Sequence, residues 1–381
     1  MKSNWIACIA LSIAAAWGLI SCSSKTQSGT SYSLESEPSA VLQHWVSDIE
    51  LIPVPQGHPI SFVTKIAYRN GAYYILTGNG LFLFSPEKGT LREISAYGNS
   101  NAEWLRLNTF YFSEKDQDLC LIDSFKSNIL HYSLQGTYQY TEHLNGLSSY
   151  EVTDAVQVGN DLILSCGLFR DQSCIYLKAP GKDFSAAIKL KELAFKSQHA
   201  IQGIGKHTLS DYNANLRCVV PFDNHIYEIK DDLLTVTDTI PTPSPVPSAK
   251  FLAESSDFSL LEMGVRCLNG KISPCFSGIY ETSKWILLPF FDAQFTLLDK
   301  DTKKAYFADT TCMNEALGFP LSNIQGSNGD TLLCYWNALD FSSRFDALKQ
   351  PTPLREKIQA RLAESKLNPD DDFIIAVHLS K

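Results

Sequence analysis

The sequence predicts an all-β chain: a six-bladed β-propeller of four-stranded antiparallel blades, with one short C-terminal helix. Three observations carry this. Short runs of aromatic and aliphatic residues, four to a unit and bounded by turn residues, recur along the chain. Aligning the second run of each unit brings Ile75, Leu121, Leu164, Val219, Leu287 and Leu333 together, at spacings of 46, 43, 55, 68 and 46 residues. Four-stranded repeats of that length are the mark of propeller blades. The 381 residues also include 21 Phe and 16 Tyr in a chain that is 44% hydrophobic, which suits sheets better than helix bundles.

The clearest unit runs from Leu107 to His143. Asn108 to Phe112 and Leu119 to Ile122 are apolar runs split by the charged SEKDQD, Asn128 to Leu134 alternates, and Gly136 permits a turn before Tyr138 to His143. An earlier unit covers Phe62 to Ser95 with turns at Asn70-Gly71 and Lys88-Gly89. Later units begin at Val152, near Leu216, at Phe276 and near Ile324. The longest spacing holds PTPSPVPSA and an insertion over about 241–270, read as a rim loop. Thr352-Pro353 predicts a helix start, with Leu354, Ile358 and Leu362 on one face. Trp45 to Val54 and Phe373 to Leu379 flank an incomplete last unit, so both termini are expected to complete one blade of a propeller spanning 41–381. Closure of that kind removes open sheet edges.

Lys2 and the apolar run Trp5 to Ile20 have the lengths of a secretory signal. The run stops at Leu19-Ile20-Ser21-Cys22, which resembles the lipobox of bacterial lipoproteins. That implies residues 1–21 as a lipoprotein signal peptide and lipidation of Cys22, the membrane being one partner through the anchor. An uncleaved membrane helix and a plain signal peptide are the other readings of the same run. Residues 22–40 read as a flexible, Ser-rich tether. No acidic residue directly follows Cys22, and this favours the periplasmic face of the outer membrane over the cell surface.

Setting aside Cys8 and Cys22 leaves eight of the ten cysteines. Cys120, Cys166, Cys218 and Cys334 sit in apolar strand runs and read as small buried hydrophobes. Cys267 and Cys275 flank an Asn269-Gly270 turn and are the candidate disulfide. The formal net charge of -9 without a Lys/Arg block argues against a nucleic-acid partner.

Gly98 to Trp104, followed by the strand LNTFYF, resembles the Gly-x-Gly-Pro-Gly-Glu-aromatic segment of the six-bladed β-propeller lipoproteins of Bacteroidetes-type bacteria. Gly98, Glu103 and Trp104 match, whereas Ser100, Asn101 and Ala102 depart from that pattern. Asp123, Asn128-Ile129, Tyr132 and Gly136 fit that family's next hairpin, and Asn368-Pro369 before Phe373 fits its closing strand.

No Walker loop, GxGxxG, HExxH or GxSxG occurs. His131, His143, His225 and His378 lie on strand patterns without a partner at ligand spacing. Glu103, Asp123, Asn213, Asp223 and Asn323 are groups that a metal-using propeller could gather at its channel, although no metal site or cofactor is assigned. Trp104 stands in a polar loop and, with Glu103, is the candidate ligand contact. The expectation is a lipid-anchored binding or scaffolding module of the cell envelope. Its partner would be a carbohydrate, a peptide or an envelope protein. A metal-dependent hydrolase, lactonase- or glycosidase-like, is the competing expectation.

Overall fold

Strands form where apolar runs meet turn residues that can reverse the chain. At Asn70-Gly71 both φ angles are positive, 52° and 78°, the geometry a two-residue hairpin needs. In the computed structural model the described residues are 29–381 apart from 36–37, 56–59, 61, 116, 148–151, 167–172, 193–206, 255–259, 274–275, 291–293, 322–323 and 366. Cys22 and the signal segment lie outside them, as do Tyr150, Cys275 and Asn323.

Among the described residues, the strands gather into six main sheets. Sheet 1 comprises Lys65–Arg69, Ala72–Leu76, Leu81–Ser85 and Thr90–Glu93. Sheet 2 comprises Leu107–Ser113, Asp118–Asp123, Asn128–Ser133 and Tyr138–His143. Sheet 3 comprises Val152–Val158, Asp161–Cys166, Ser173–Lys178 and Ile188–Glu192. Sheet 4 has Leu209–Ser210, Arg217–Cys218, His225–Lys230 and Leu233–Thr239, and sheet 5 has Tyr280–Glu281, Trp285–Pro289, Gln294–Asp299 and Lys304–Asp309. Sheet 6 joins Ile324–Asn328, Thr331–Asn337 and Asp372–Leu379 to the N-terminal Val46–Val54, in the order given. Its last pair is antiparallel, with Ile374 opposite Ile52.

Apolar clusters fill the spaces between neighbouring sheets. Leu76, Phe110 and Leu121 join sheets 1 and 2, Ile122 and Leu164 join 2 and 3, and Ile163 and Cys218 join 3 and 4. Ile226 and Ile286 join 4 and 5, and Leu297 and Leu332 join 5 and 6. Ile66 and Ile75 pack with Leu333 and Ile374, joining 6 back to 1. Each sheet thus hides two faces that it could not hide alone.

Two features depart from the sequence reading. The segment read as a tether is partly ordered: Thr30–Ser31 pairs in parallel with the outer strand of sheet 4, and Ser33–Glu35 with that of sheet 5. Tyr32 between them is buried in the apolar cluster that joins the two sheets. A Cβ at Gly29 would come within 2.8 Å of the Thr237 carbonyl oxygen, so glycine permits this close approach.

Helix is also more extensive than one C-terminal element. Pro38–Trp45, Ala249–Ala253, Leu260–Asn269, Thr310–Leu317 and Ala338–Ala347 accompany Pro353–Ser365. The insertion read as a loop therefore contains two helices. Local caps explain several starts: Asp309 accepts from Cys312 N at 2.7 Å, Asn337 from Leu339 N at 3.1 Å and Thr352 from Arg355 N at 3.1 Å. Leu42, Phe341 and Ile358 carry these helices onto the core of sheets 5 and 6.

Candidate functional site

The first strands of the six sheets meet around one cavity of about 450 Å³. Lys65 and Arg69 come from sheet 1, Phe110 and Glu114 from sheet 2, Asp154 and Gln157 from sheet 3. Tyr212 and Asn213 follow the first strand of sheet 4, Glu281 ends that of sheet 5, and Gly326 and Asn328 belong to sheet 6. The volume lies in the range of small-molecule sites.

Buried ion pairs organise the walls. The Lys65 ammonium donates to Asp154 Oδ1 at 2.8 Å, the Phe110 carbonyl at 3.0 Å and Thr109 Oγ1 at 3.3 Å. Asp154, whose side chain is 3% exposed, also accepts from Leu209 N at 3.1 Å through Oδ2. One carboxylate and one ammonium therefore link the first strands of sheets 1, 2, 3 and 4. On the opposite arc, Glu281 Oε1 receives Arg217 and Lys300, each at 3.1 Å. Glu281 Oε2 and Arg217 Nε are buried without a hydrogen-bond partner. Nearer the hairpin ends, Arg69 pairs with Glu114 at 2.9 Å.

The Tyr212 ring is half-buried, with Lys300 Nζ 5.0 Å from its centroid. Asn213 (φ 53°) and Ala214 (φ 60°) follow it in left-handed backbone. Two consecutive residues of that kind without glycine are costly and concentrate where a loop must hold one shape.

Of the residues singled out from sequence, Asn213 alone is among those described above as lining this cavity. Glu103 sits in a short parallel ribbon of Ala96–Tyr97 and Glu103–Trp104, and its carboxylate accepts from Ser100 N at 2.8 Å. That hydrogen bond holds its carboxyl below the usual range. Trp104 is buried, with the exposed Tyr97 edge-on to it at 5.2 Å, so the ring expected in an open loop is covered. Asp123 is fully buried and accepts from Leu105 N at 2.7 Å and Lys126 N at 3.1 Å, which gives it a loop-shaping role. Cys267 is buried near the end of the helix Leu260–Asn269, with a turn at Gly270 directly after it, and its expected partner Cys275 lies outside the described residues.

The histidines pack rather than converge. His131 stacks on Tyr140 at 4.1 Å and His378 meets Thr331 at 2.9 Å. Among the described residues, no three His, Cys, Asp or Glu side chains gather as a metal-ligand set. Asp223 joins His225, Tyr227 and Lys191 between sheets 3 and 4. Burial pushes its carboxyl up, but hydrogen bonds from Tyr227 and His225 and the Lys191 charge prevail and hold it below the usual 3.8. A depressed carboxylate adds stability above its ordinary range, and that contribution is lost as pH falls through the depressed value. Asp223→Asn is therefore expected to flatten the fall in melting temperature below about pH 4, read by thermal unfolding across a pH series.

Residues 32–378 match the family described as Domain of unknown function (DUF4934). The chain belongs to that family. Among solved structures, this DUF4934 chain is similar to a Bacteroides fragilis protein described as exported, with a TM-score of 0.73 at 16% identity over 92% of this chain and 99% of that one. It is also similar to a DUF4221 family member from Bacteroides vulgatus, with a TM-score of 0.51 at 12% identity over 87% and 96%. A gluconolactonase from Xanthomonas campestris superposes at a TM-score of 0.45 and 11% identity over 90% and 93%, too loosely to bear on chemistry. No curated protein matches the sequence.

Proposed function

We propose that this DUF4934 chain is a six-bladed β-propeller, held at the cell envelope by lipid on Cys22, that binds a polar ligand in the cavity between its first strands. The observation that carries the reading is the ring of six first strands around one cavity, with apolar clusters joining every neighbouring pair of sheets, the sixth to the first included. The B. fragilis relative, described as exported, supports an envelope location. The lining carboxylates Asp154, Glu114 and Glu281 are each taken up by Lys or Arg. This supports a binding or scaffolding role over metal-assisted hydrolysis.

Two measurements test the reading together. Mass spectrometry of the mature protein is expected to find a diacylglyceryl group on Cys22, and unmodified Cys22 defeats the anchor. A thermal-shift screen of saccharides and peptides is expected to yield a ligand that raises the melting temperature. Turnover of lactones or glycosides that disappears on chelation and returns with added metal would replace binding with catalysis.

A further inference from the structure

Resting on the reading of the cavity as a binding site, we infer that its ligand is an uncharged, polyhydroxylated molecule: a neutral saccharide. The charges of the wall are already matched. All three Lys65 donors are engaged within 3.3 Å. Arg69 is paired with Glu114, and Glu281 is matched by two cations. Asp211, exposed among the lining residues, offsets the second cation at Glu281, so the cations and carboxylates of the wall balance. A charged ligand would have to displace one of these partners, and breaking the pairs made by the buried Asp154 or Glu281 is costly.

What the walls still offer is neutral and directional. Asn213 and Asn328 line the cavity with amides, each presenting a donor and an acceptor side by side, and Gln157 adds an amide whose Nε2 also donates to the Gly159 carbonyl. Adjacent hydroxyls match that pattern, because each can both give and receive a hydrogen bond. The unmatched Glu281 Oε2 is acceptor-only and calls for a donor that brings no charge, which a hydroxyl supplies. Lys300 lies against the Tyr212 ring, which shares in the cavity wall and gives the apolar face of a sugar ring a surface to rest on. Of the apolar wall residues, Ile66 and Phe110 are fully buried, whereas Phe112, Val156 and Leu209 are half-buried.

The test is an array of neutral and uronate-containing oligosaccharides probed with the full chain, followed by calorimetric titration of the best neutral hit. Binding to neutral glycans is expected, about tenfold or more weaker in Tyr212→Ala. Tyr212→Phe should keep it, and both variants should melt as the parent does. Preference for uronates, or neutral binding indifferent to Tyr212→Ala, overturns the inference, as does an array with no neutral hit. A peptide that binds and is lost on Tyr212→Ala would refute the saccharide assignment while leaving the cavity a binding site.

Discussion

Gly326→Ala is expected to lower stability by about 3 kcal/mol, at the upper end for an overpacked site. The first strand of sheet 6 runs against that of sheet 1, and a methyl group on Gly326 would overlap the Ile66 carbonyl oxygen. What must yield is backbone in another sheet rather than the end of a flexible side chain. The sign is diagnostic, because Gly→Ala at a compatible site stabilises by restricting the unfolded chain. Gly78 supplies the control, since a methyl group there would meet nothing within 4 Å and its φ is not left-handed. Gly78→Ala should be neutral or mildly stabilising. Calorimetric melting of both variants checks this. Equal melting temperatures would mean that the junction between sheets 6 and 1 is looser than its geometry.

Asp154→Ala is expected to cost about 3–5 kcal/mol, the range for stranding one partner of a buried pair. Lys65, with a side chain 16% exposed, would keep its charge without its counterion, and the Leu209 amide would lose its acceptor. Pairing Lys65→Met with Asp154→Leu should recover much of the loss, because two apolar groups need no partners. Thermal unfolding of both single variants and the double variant measures the coupling. Independent, additive effects would show that the four-sheet link contributes little.

Sheets 1 to 3 were legible because their apolar runs are long and their turns carry Asn-Gly, Gly-Asn or a lone Gly, signals contained in a few adjacent residues. Ile75, Leu121, Leu164, Leu287 and Leu333 all fall in the second strand of their sheets, and Val219 directly follows Arg217–Cys218. The ordered N-terminal strands were not legible. Thr30 to Glu35 is mostly polar, and its extended form comes from edges about 200 and 270 residues away. The short helices are decided by single caps at Asp309 and Asn337 rather than by a long amphipathic stripe.

The cavity was hidden for a similar reason. Lys65 and Asp154 are 89 residues apart, and neither has a neighbour in sequence that announces the pair. A charge inside an apolar strand, as in VTDAVQV, was the available hint. The aromatic in a polar loop, Trp104, proved the weaker guide because Tyr97 folds over it.

The docked N-terminal strands have a mechanical consequence. Gly29 stands seven positions beyond Cys22, and an extended chain spans at most about 3.6 Å per residue. A lipid on Cys22 would therefore hold the outer edge of sheet 4 within about 25 Å of the bilayer. On the proposed anchor, the mooring point is thus the edge of one sheet farthest from the first strand that borders the cavity.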